Sequence, residues 1–445
     1  MTAPPKPASA RAAAWHRALG ARAARAFPER HATPGTVGRE SEFPLVRPDG
    51  TTGDLLQVWP LLAEAAPHLV EKREVSGLLV ELRDEDVSYV AEVGRGTVEI
   101  VVGPHRTLHG TRDAHMRARE RLLEAVHAAG QMLLGYGIQP RTPPCAPVMT
   151  PKQRYGVLHE VIGEPWLWFT VTASDQVHLA VDRADALEAT RVAHLLTPVL
   201  VAICGNSPIC SGRDLGVTSA REARMGEIHS DFGRHGIPLW PDASWADLVS
   251  RYARQPWLVR SRHGVYVPAE GAFNDWLERM PHPDDAGDTV LETIFNEFLM
   301  HEHYIWNSAR PRTAHGTIEV RPACQQPLYE SMTAAAMGVG IAAGARELGA
   351  WLDGLLGPDV WTTMRHWHHD VVRDGLRAPP PTPHLLRQAL ERIEAALVAR
   401  GHGEEVYLRP AFERLERRAN PADDARAAYQ QGGMEALVAH AARLA

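Results

Sequence analysis

Cysteine is scarce in this chain, with four residues in 445. They are Cys145, Cys204, Cys210 and Cys324, and no two of them form a CxxC pair. The spacing therefore argues against a zinc ribbon and against a disulfide scaffold. A reducing cytoplasm is the simplest setting for such a chain, because disulfides are rare there.

Long apolar runs and an excess of positive charge are also absent. No apolar stretch approaches the ~20 residues that a helix needs to span a bilayer, so we expect no membrane partner. The 47 basic and 54 acidic residues leave a net charge of −7, with an isoelectric point near 6.4. Because proteins that bind nucleic acids usually carry a basic face, we expect no nucleic-acid partner. The chain also lacks the two glycine-rich nucleotide loops, GxxxxGKS/T and a GxGxxG at a strand–helix junction.

The remaining composition is that of an ordinary globular protein, with 44% hydrophobic and 23% charged residues. The length suits about three domains of ~150 residues, or one large domain with a helical appendage. Strand patterns mixed with helices precede a wholly helical stretch, which predicts an α+β fold. We expect a tail and a helix over residues 1–34, a catalytic domain over 35–326 and a helical region over 327–445.

Apolar periodicity and turn residues predict the individual elements. Strands are expected over Thr36–Val46, Gly77–Leu82, Asp86–Val93, Gly96–Val102, Gly135–Pro140, Trp166–Thr172, Asp175–Val181 and Gly316–Arg321. Helices are expected over Thr107–Leu134, Ala184–Cys204, 244–254, 289–300, 328–352, 358–374, 384–399, 404–418 and 433–444.

The N-terminal segment allows two interpretations. Its first 28 residues contain several arginines and no acidic residue, a composition also found in transit peptides. Alanine and arginine are frequent throughout the chain, however. We therefore favour an amphipathic helix over Ala10–Phe27 that ends at Pro28.

Acidic residues at strand spacing are the first indication of a site. Glu40 and Glu42 lie two residues apart in a predicted strand, so their side chains point to one face. Carboxylates that share a face repel each other and need a cation to offset the repulsion. A single pair of this kind is more often a solvated surface, so the interpretation depends on the rest of the chain.

Three further strand segments carry similar residues at positions that share a face. Two glutamates flank a predicted hairpin turn at 94–96, and two later strands hold glutamine with histidine and glutamate with arginine. In chain order these residues are Glu92, Glu99, Gln176, His178, Glu319 and Arg321. All of them lie among apolar, β-branched neighbours.

This donor set indicates metal-bound polyphosphate. Oxygen ligands with at most one imidazole suit Mg²⁺, or Mn²⁺, better than zinc. One magnesium ion usually takes one or two carboxylates, so the five glutamates indicate two or three metal ions with a polyphosphate between them. We therefore expect ATP, bound through metals on a sheet because the glycine-rich loops are missing.

The order of several motifs resembles that of the glutamate–cysteine ligase family, in the type found in plants and many bacteria. Its G-x-E-x-E strand corresponds to Gly38, Glu40 and Glu42, and its E-P-G-G-Q-x-E-L segment to EVGRGTVEI. Its G-x-Q-P, P-x-G-R-Y and T-x-Q-V-N-L-D stretches correspond to GIQP, PKQRY and SDQVHLAVD. Its A-N-S-P and P-E-V-R…Y-L-E-M-R-G-A-D stretches correspond to GNSP and to RPR followed by TIEVRPAC. The matches keep their order over roughly residues 36–330.

The resemblance implies a curved, mostly antiparallel sheet of the glutamine-synthetase type and ATP-dependent γ-glutamyl transfer through an acyl phosphate. It implies a phosphate-contacting role for Arg321 and a place near the glutamate site for Arg312. The implied metal ligands are Glu40, Glu42, Glu92, Glu99, His178 and Glu319. The expected nucleotide contacts are Lys152, Arg154, Gln176 and Arg321, of which the first two could equally be solvated.

Two departures from the family pattern concern the substrates. Arg95 adds a positive charge to the hairpin turn, and Cys324 stands where the family has an aspartate. We expect Cys324 at the edge of the acceptor pocket, where a thiol binds an ammonium group less strongly than a carboxylate does. The alternative for Cys324 is a buried structural cysteine.

The main functional hypothesis is an ATP-dependent carboxylate–amine ligase of the cytoplasm, a monomer or weak homodimer acting on small molecules. The family default is the γ-carboxylate of glutamate and the amine of cysteine. The alternatives are a γ-glutamyl ligase for another amine, a non-catalytic homologue that binds a nucleotide or an amino acid, and a phosphotransferase acting on a guanidinium.

Three other segments carry less weight. MRHWHHD at 364–370 is typical of a surface helical face, and HEH at 301–303 lacks the HExxH spacing of a zinc protease. His303 is still a candidate neighbour of the site. The aromatic stretch PWLWF at 165–169 is more typical of a core than of a nucleobase platform.

Overall fold

The computed structural model describes residues 9–31, 35–228, 233–262 and 264–444. The strands are β1 Val37–Val46, β2 Val70–Arg73, β3 Leu79–Arg83, β4 Val87–Ala91, β5 Thr97–His105, β6 Met132–Leu133, β7 Asp175–Ala180, β8 Ile209–Cys210, β9 Arg213–Asp214, β10 His235–Gly236, β11 Val259–Arg262, β12 Val265–Pro268, β13 Trp306–Asn307, β14 Ala309–Arg312 and β15 Thr317–Val320.

The α-helices are α1 Ala10–Ala26, α2 Leu55–Ala65, α3 Leu108–Ala128, α4 Gln153–Ile162, α5 Ala186–Leu195, α6 Thr197–Cys204, α7 Ala220–Met225, α8 Trp245–Ala253, α9 Phe273–Leu277, α10 Asp288–His303, α11 Thr333–Ala343, α12 Ala345–Leu356, α13 Val360–Asp374, α14 Leu385–Arg400, α15 Arg409–Arg417 and α16 Pro421–Ala441. Short 3₁₀ helices include Ala146–Val148, Glu164–Thr170, Leu328–Glu330 and Glu404–Leu408.

One large antiparallel sheet organises the molecule. Its strands follow the order β14, β15, β7, β1, β5, β4, β3 and β2, and β6 pairs with the end of β1. Because β7 and β15 return to the edge of β1 from much later in the chain, β1 lies in the middle of the sheet. Residues that are distant in sequence therefore meet across β1.

Strand β1 separates a core face from a polar face by simple alternation. Val37, Arg39, Ser41 and Phe43 are buried, whereas the glutamates between them are only half-buried. The first set faces the helices. The second set lies on the opposite surface, which we call the inner face.

Helices from two parts of the chain cover the core face. Helix α3 packs on β5, and Tyr89 Oη donates a hydrogen bond to Ala118 O at 3.0 Å. Helix α11 packs on β7, where a Cβ at Gly338 would come within 2.4 Å of Val177 Cγ1. The glycine therefore lets the helix approach the strand closely.

An ion pair inside this core ties the sheet to the C-terminal helices. Arg39 on β1 donates two hydrogen bonds of 2.8 Å to Asp175 on β7, and both side chains are fully buried. The same guanidinium donates to Ser331 O at 2.5 Å, just before α11. A bidentate pair with a further carbonyl acceptor fixes the positions of three elements at once.

Many expected elements form within a few residues of the sequence prediction, and seven differ. The helix expected over 328–352 is divided into a short 3₁₀ helix, α11 and α12. The helix expected over 404–418 begins as a 3₁₀ helix, and the end of the one expected over Thr107–Leu134 forms β6. The other four are as follows. The expected strand at Trp166–Thr172 is wrong, because a 3₁₀ helix follows Pro165 there. The expected strand at Gly135–Pro140 is wrong as well, because that segment is irregular apart from one bridge from Ile138 to Thr172. The helix expected over Ala184–Cys204 is divided in two at Leu196, where Pro198 begins a new helix. The last helix begins at Pro421 instead of 433 and is kinked at Gly432.

The helix expected near the N-terminus forms as α1, with Ser9 as its N-cap. Trp15 is fully buried and donates a hydrogen bond to Pro281 O at 3.0 Å. The first eight residues of the expected tail lie outside the described residues. The division into segments 1–34, 35–326 and 327–445 remains a prediction.

Among the described residues, no single helix combines the length and the apolar composition needed to cross a membrane. Helices α5 and α6 meet those criteria only when counted together, across a bend of 50°.

The Arg39–Asp175 pair generates a stability prediction. Asp175→Asn leaves Arg39 buried without its counter-ion, so we expect the free energy of unfolding to fall by about 3–5 kcal/mol. Asp113→Asn is the matched control, because it removes the exposed partner of Arg112 and should cost no more than about 1 kcal/mol. Urea denaturation followed by circular dichroism measures both, and equal losses would contradict a special role for the buried pair.

Candidate active site

The register of four neighbouring strands brings the predicted site residues together. Directly paired residues of antiparallel strands point to the same side of a sheet. The pairs are Glu42 with Glu99, Glu40 with Gln176, and His178 with Glu319. Strands β15, β7, β1 and β5 therefore present all six side chains on the inner face, and Glu92 follows directly after β4.

One group on this face has the geometry of a metal site. Ligand atoms of Glu40, His178 and Glu319 all lie within 4.8 Å of one another. His178 Nε2 is 3.1 Å from Glu40 Oε1. Burial raises the pKa of Glu40, but the opposite effect of His178 is larger. The net pKa is therefore below its usual value, and the carboxyl ionises more readily than usual. Two carboxylates and one imidazole suit Mg²⁺ or Mn²⁺.

The remaining three glutamates form a cluster of like charges, in which Glu99 is buried and Glu42 and Glu92 are half-buried. Burial and the nearby Glu92 raise the pKa of Glu42 to about 7. Burial raises the pKa of Glu99 well above its usual value, and the charges of Glu40, Glu92 and Glu42 add to the effect. The pKa of Glu92 is also raised, mainly by burial. A bound cation would relieve this repulsion, so these residues also fit a metal.

Glu319 lies among three arginines at the other end of the face. Arg310 and Arg321 each form an ion pair with its carboxylate, and Arg312 Nη1 lies 3.3 Å from Oε2. Burial raises the pKa of Glu319, but the three guanidinium groups hold it well below its usual range. Alternation along β14 places Arg310 and Arg312 on one face. Of the two, the family resemblance implied Arg312 alone, and this alternation could also have indicated Arg310.

The expected nucleotide contacts divide between two places. Gln176 donates a hydrogen bond to Glu42 Oε1 at 3.3 Å and accepts one from Arg321. Lys152 Nζ donates to Ala91 O, beside Glu92. Burial lowers the pKa of Lys152 to about 8, against the opposite influence of Glu92 and Glu99.

A cleft of about 540 Å³ opens beside Lys152 and Arg154. It runs over β2, β3 and β4 and under the hairpin of β11 and β12. The cleft therefore ends at two cations that lie next to the glutamate cluster.

A small cavity of about 20 Å³ adjoins the same glutamates. Its lining residues are Glu42, Glu92, Phe169, Thr172, Arg221, Met225, His235, Trp306 and Arg321. The volume suffices for about one water molecule. A larger substrate must therefore displace side chains of this wall.

Several of these lining residues were missed by sequence reasoning. Arg221 lies on the short helix α7 and His235 on the two-residue strand β10, elements too short to show a periodicity. Phe169 belongs to the aromatic stretch that was interpreted as core, and it contacts Trp306 with ring centroids 4.9 Å apart.

Cys324 lies in the interior of the protein. Its side chain is buried, and Sγ lies 3.3 Å from both Ser207 Oγ and Ser219 Oγ. The thiol is absent from the lining of the small cavity. The alternative of a buried structural cysteine describes its surroundings, and a place at the edge of an acceptor pocket stays a prediction.

The other histidine segments have separate outcomes. His366 and His369 are exposed on α13, as expected for a surface face, but His368 is buried and lies 3.5 Å from Glu222. His303 lies near Arg312, and burial lowers its pKa well below the usual value.

The chain matches the family model described as glutamate–cysteine ligase family 2 over residues 36–440. A protein of Rubrobacter xylanophilus, provisionally named glutamate–cysteine ligase 2-3, is 27% identical over 417 residues, which are 91% of this chain and 95% of that protein. Glutamate–cysteine ligase EgtA of Mycobacterium tuberculosis is 28% identical over 221 residues, which are 45% of this chain and 49% of that protein.

Two solved structures share the fold. The crystal structure of a Francisella tularensis glutamate–cysteine ligase in complex with AMP superposes with a TM-score of 0.56 at 12% identity, covering 94% of this chain and 89% of that one. A bifunctional glutathione synthetase from Pasteurella multocida gives a TM-score of 0.53 at 13% identity, covering 97% of this chain and 52% of that one. The expected fold class is confirmed.

The raised pKa of Glu42 generates a prediction about stability in EDTA. Below pH 4.5 the carboxyl is protonated in both states. Between pH 4.5 and about 7 the unfolded state loses the proton first, so the free energy of unfolding falls as the pH rises. Glu42→Gln removes this cost, and we expect a gain of up to about 3 kcal/mol at pH 8 and almost none at pH 4.

The exposed Glu120 on α3 provides the control, because Glu120→Gln should change stability little at either pH. Urea denaturation in EDTA at the two pH values measures all three proteins. A gain for Glu42→Gln that is no larger at pH 8 than at pH 4 would show that this carboxyl does not carry the repulsion.

Proposed function

The chain belongs to glutamate–cysteine ligase family 2 and is a ligase that forms C–N bonds, and from this premise we propose that it joins an amino-acid carboxylate to an amine at the expense of ATP. The first substrates to test are the γ-carboxylate of glutamate and the amine of cysteine. The substrates are small molecules, which agrees with the size of the cleft.

The observation that carries this proposal is the position of the glutamates. Glu92 lies beside Lys152 and Arg154, which line the 540 Å³ cleft, and it lines the small cavity itself. A nucleotide in the cleft would therefore direct its terminal phosphate toward the glutamates, and an acid in the cavity would face the same place.

The side chains would divide the binding of a triphosphate between them. Lys152 and Arg154 are in position to contact the phosphates nearer the nucleoside. Arg321, at the opposite wall, would stabilise charge on the transferring phosphoryl group. Glu40, His178 and Glu319 fit one divalent cation, and Glu42, Glu92 and Glu99 fit one or two more. Such cations, when bound, supply neutralisation of the phosphate charge and orientation of the γ-phosphoryl group.

The reaction then has two halves. An oxygen of the acid attacks the γ-phosphorus, which gives an acyl phosphate and ADP. The amine next attacks the acyl carbon, and phosphate leaves as the amide forms. An acid that enters the 20 Å³ cavity would push its lining side chains outward, and these side chains would then enclose the acyl phosphate and keep water away from it.

The mechanism predicts the products. With ATP, Mg²⁺, glutamate and cysteine, we expect ADP, phosphate and γ-glutamylcysteine in equal amounts, read by mass spectrometry. A panel of other amines tests the alternative acceptor. AMP with pyrophosphate would contradict the acyl-phosphate route, and ADP without any amide would indicate a phosphotransferase instead.

The glutamate cluster predicts an absolute requirement for a divalent cation. Turnover should cease in excess EDTA and return with Mg²⁺ or Mn²⁺. Glu99→Gln should lower kcat by at least ~100-fold, since even residues that only orient a metal ligand cost 10–100-fold. Glu120→Gln, on the exposed side of α3, should keep the wild-type rate. Full activity of Glu99→Gln with an intact fold would show that Glu99 binds no essential metal.

A further inference from the structure

A buried group of four side chains lies directly behind the small cavity. Glu222 on α7 is at its centre, with a side chain that is 1% exposed. Arg221 Nη1 donates a hydrogen bond to Glu222 Oε1 at 2.7 Å. His235 Nε2 lies 3.6 Å from the same oxygen, and His368 Nε2 lies 3.5 Å from Oε2. No part of the proposed function uses this group.

The carboxylate at the centre of the group is ionised. Burial raises the pKa of Glu222, but His235, His368 and Arg221 outweigh it and lower the pKa to about 2. At 3.6 Å the negative charge of the carboxylate attracts a proton on Nε2 of His235 without a hydrogen bond. This attraction favours the tautomer with the proton on Nε2, which leaves the lone pair on Nδ1.

His235 is also part of the cavity wall, together with Glu42 and Arg321. The charge of Arg321 contributes to the lowered pKa of His235, so the two side chains are close. Arg321 is the side chain assigned to the transferring phosphoryl group. The imidazole therefore borders the place where an acyl phosphate would form and where an amine must arrive.

The other charged residues of the wall are not available as proton acceptors. Arg221 and Arg321 are cations that do not deprotonate in proteins. Glu42 and Glu92 are assigned to divalent cations. Among the described residues of the wall, His235 is the remaining titratable side chain, and burial lowers its pKa to about 4, so it is unprotonated at neutral pH.

We propose that His235, oriented by Glu222, accepts the proton of the incoming amine in the second half-reaction. This inference rests on the proposed ligase function. The acceptor's ammonium first loses one proton to water, which frees the nitrogen lone pair. That lone pair forms the C–N bond, the bond from the acyl carbon to the phosphate oxygen breaks, and phosphate leaves with that electron pair. The proton on the new C–N nitrogen passes to Nδ1 of His235. A weak base suffices, because the nitrogen becomes far more acidic as the C–N bond forms.

His368 acts in this arrangement as a positioning residue. Its ring lies against the strand of His235, since a Cβ at Gly236 would be 3.6 Å from His368 Cε1. Its Nε2 also lies 3.5 Å from the second oxygen of Glu222. Helix α13 of the C-terminal region thereby borders the carboxylate that orients His235.

A comparison of two nucleophiles, hydroxylamine and an amino-acid amine, distinguishes the second half-reaction from formation of the acyl phosphate. Hydroxylamine is a strong, mostly unprotonated nucleophile at neutral pH and captures acyl phosphates as hydroxamates even with water as the only base, so hydroxamate formation reports the first half-reaction. Amide formation with an amino-acid amine reports the step in which His235 is proposed to accept the proton. The experiment uses the full chain with ATP, Mg²⁺ and glutamate. It compares hydroxamate formation with amide formation for cysteine, or for whichever amine the product assay identifies.

We expect His235→Gln to lower amide formation by about 10²–10⁴-fold, the usual contribution of a general base, while hydroxamate formation stays close to wild type. Glu222→Gln should lower amide formation by a smaller factor with the same selectivity. His369→Gln is the matched control, because it removes the exposed histidine next to His368 and should change neither rate.

Two results would overturn the assignment of His235. One is an unchanged rate of amide formation in His235→Gln. The other is an equal loss of hydroxamate and amide, which would place His235 in substrate binding or in the first half-reaction. If the wild-type protein forms neither product and releases no ADP with any acid tested, the proposed function itself fails, and the proposal for His235 fails with it.

Discussion

Repulsion between carboxylates on the inner face of one sheet is the constraint on which the rest of the molecule depends. Glu42 and Glu99 are directly paired, and Glu40 and Glu92 are close enough to raise the pKa of Glu99. Left to themselves, buried like charges would favour opening of the sheet. The surrounding cations address the problem unevenly. Three arginines compensate Glu319, whereas Glu92 has Lys152 and Arg154 nearby and Glu99 has Lys152. The negative charge is therefore balanced by side chains at the Glu319 end of the site and left in excess at the Glu92 and Glu99 end. A divalent cation would bind preferentially where the negative charge is in excess.

The core face resists this repulsion mechanically. The buried pair of Arg39 and Asp175 joins β1 to β7, and the carbonyl of Ser331 joins both to the start of α11. Helix α11 can approach β7 closely because position 338 is glycine. The C-terminal helices are thus more than a cover for the sheet. They hold two central strands in the register that keeps the inner-face residues opposite one another, and α13 reaches further, to Glu222 behind the cavity.

The sequence was sufficient where the signal is local. Alternation in β1, β7 and β15 identified which side chains share a face, because the side-chain period of a strand is fixed and a change of one residue reverses it. Local signals failed where an irregular backbone carries polar groups. The segment 164–170 forms a 3₁₀ helix although its aromatic residues have a high strand propensity. Arg221 and His235 lie on elements of six and two residues, and only the three-dimensional fold brings them to the glutamates. Whether the six expected ligands bind metal stays a prediction.

The buried position of Cys324 suggests how a substitution outside the small cavity could change the shape of that cavity. Its thiol lies between Ser207 and Ser219, and Ser219 caps the helix that carries Arg221 and Glu222. The backbone of Gly137 comes so close that a Cβ there would be 2.6 Å from the Cβ of Cys324. The position therefore acts as a steric spacer between the last inner-face strand and α7. A larger or charged residue at 324 would shift the whole helix and reshape the cavity from behind, without any new contact to a substrate.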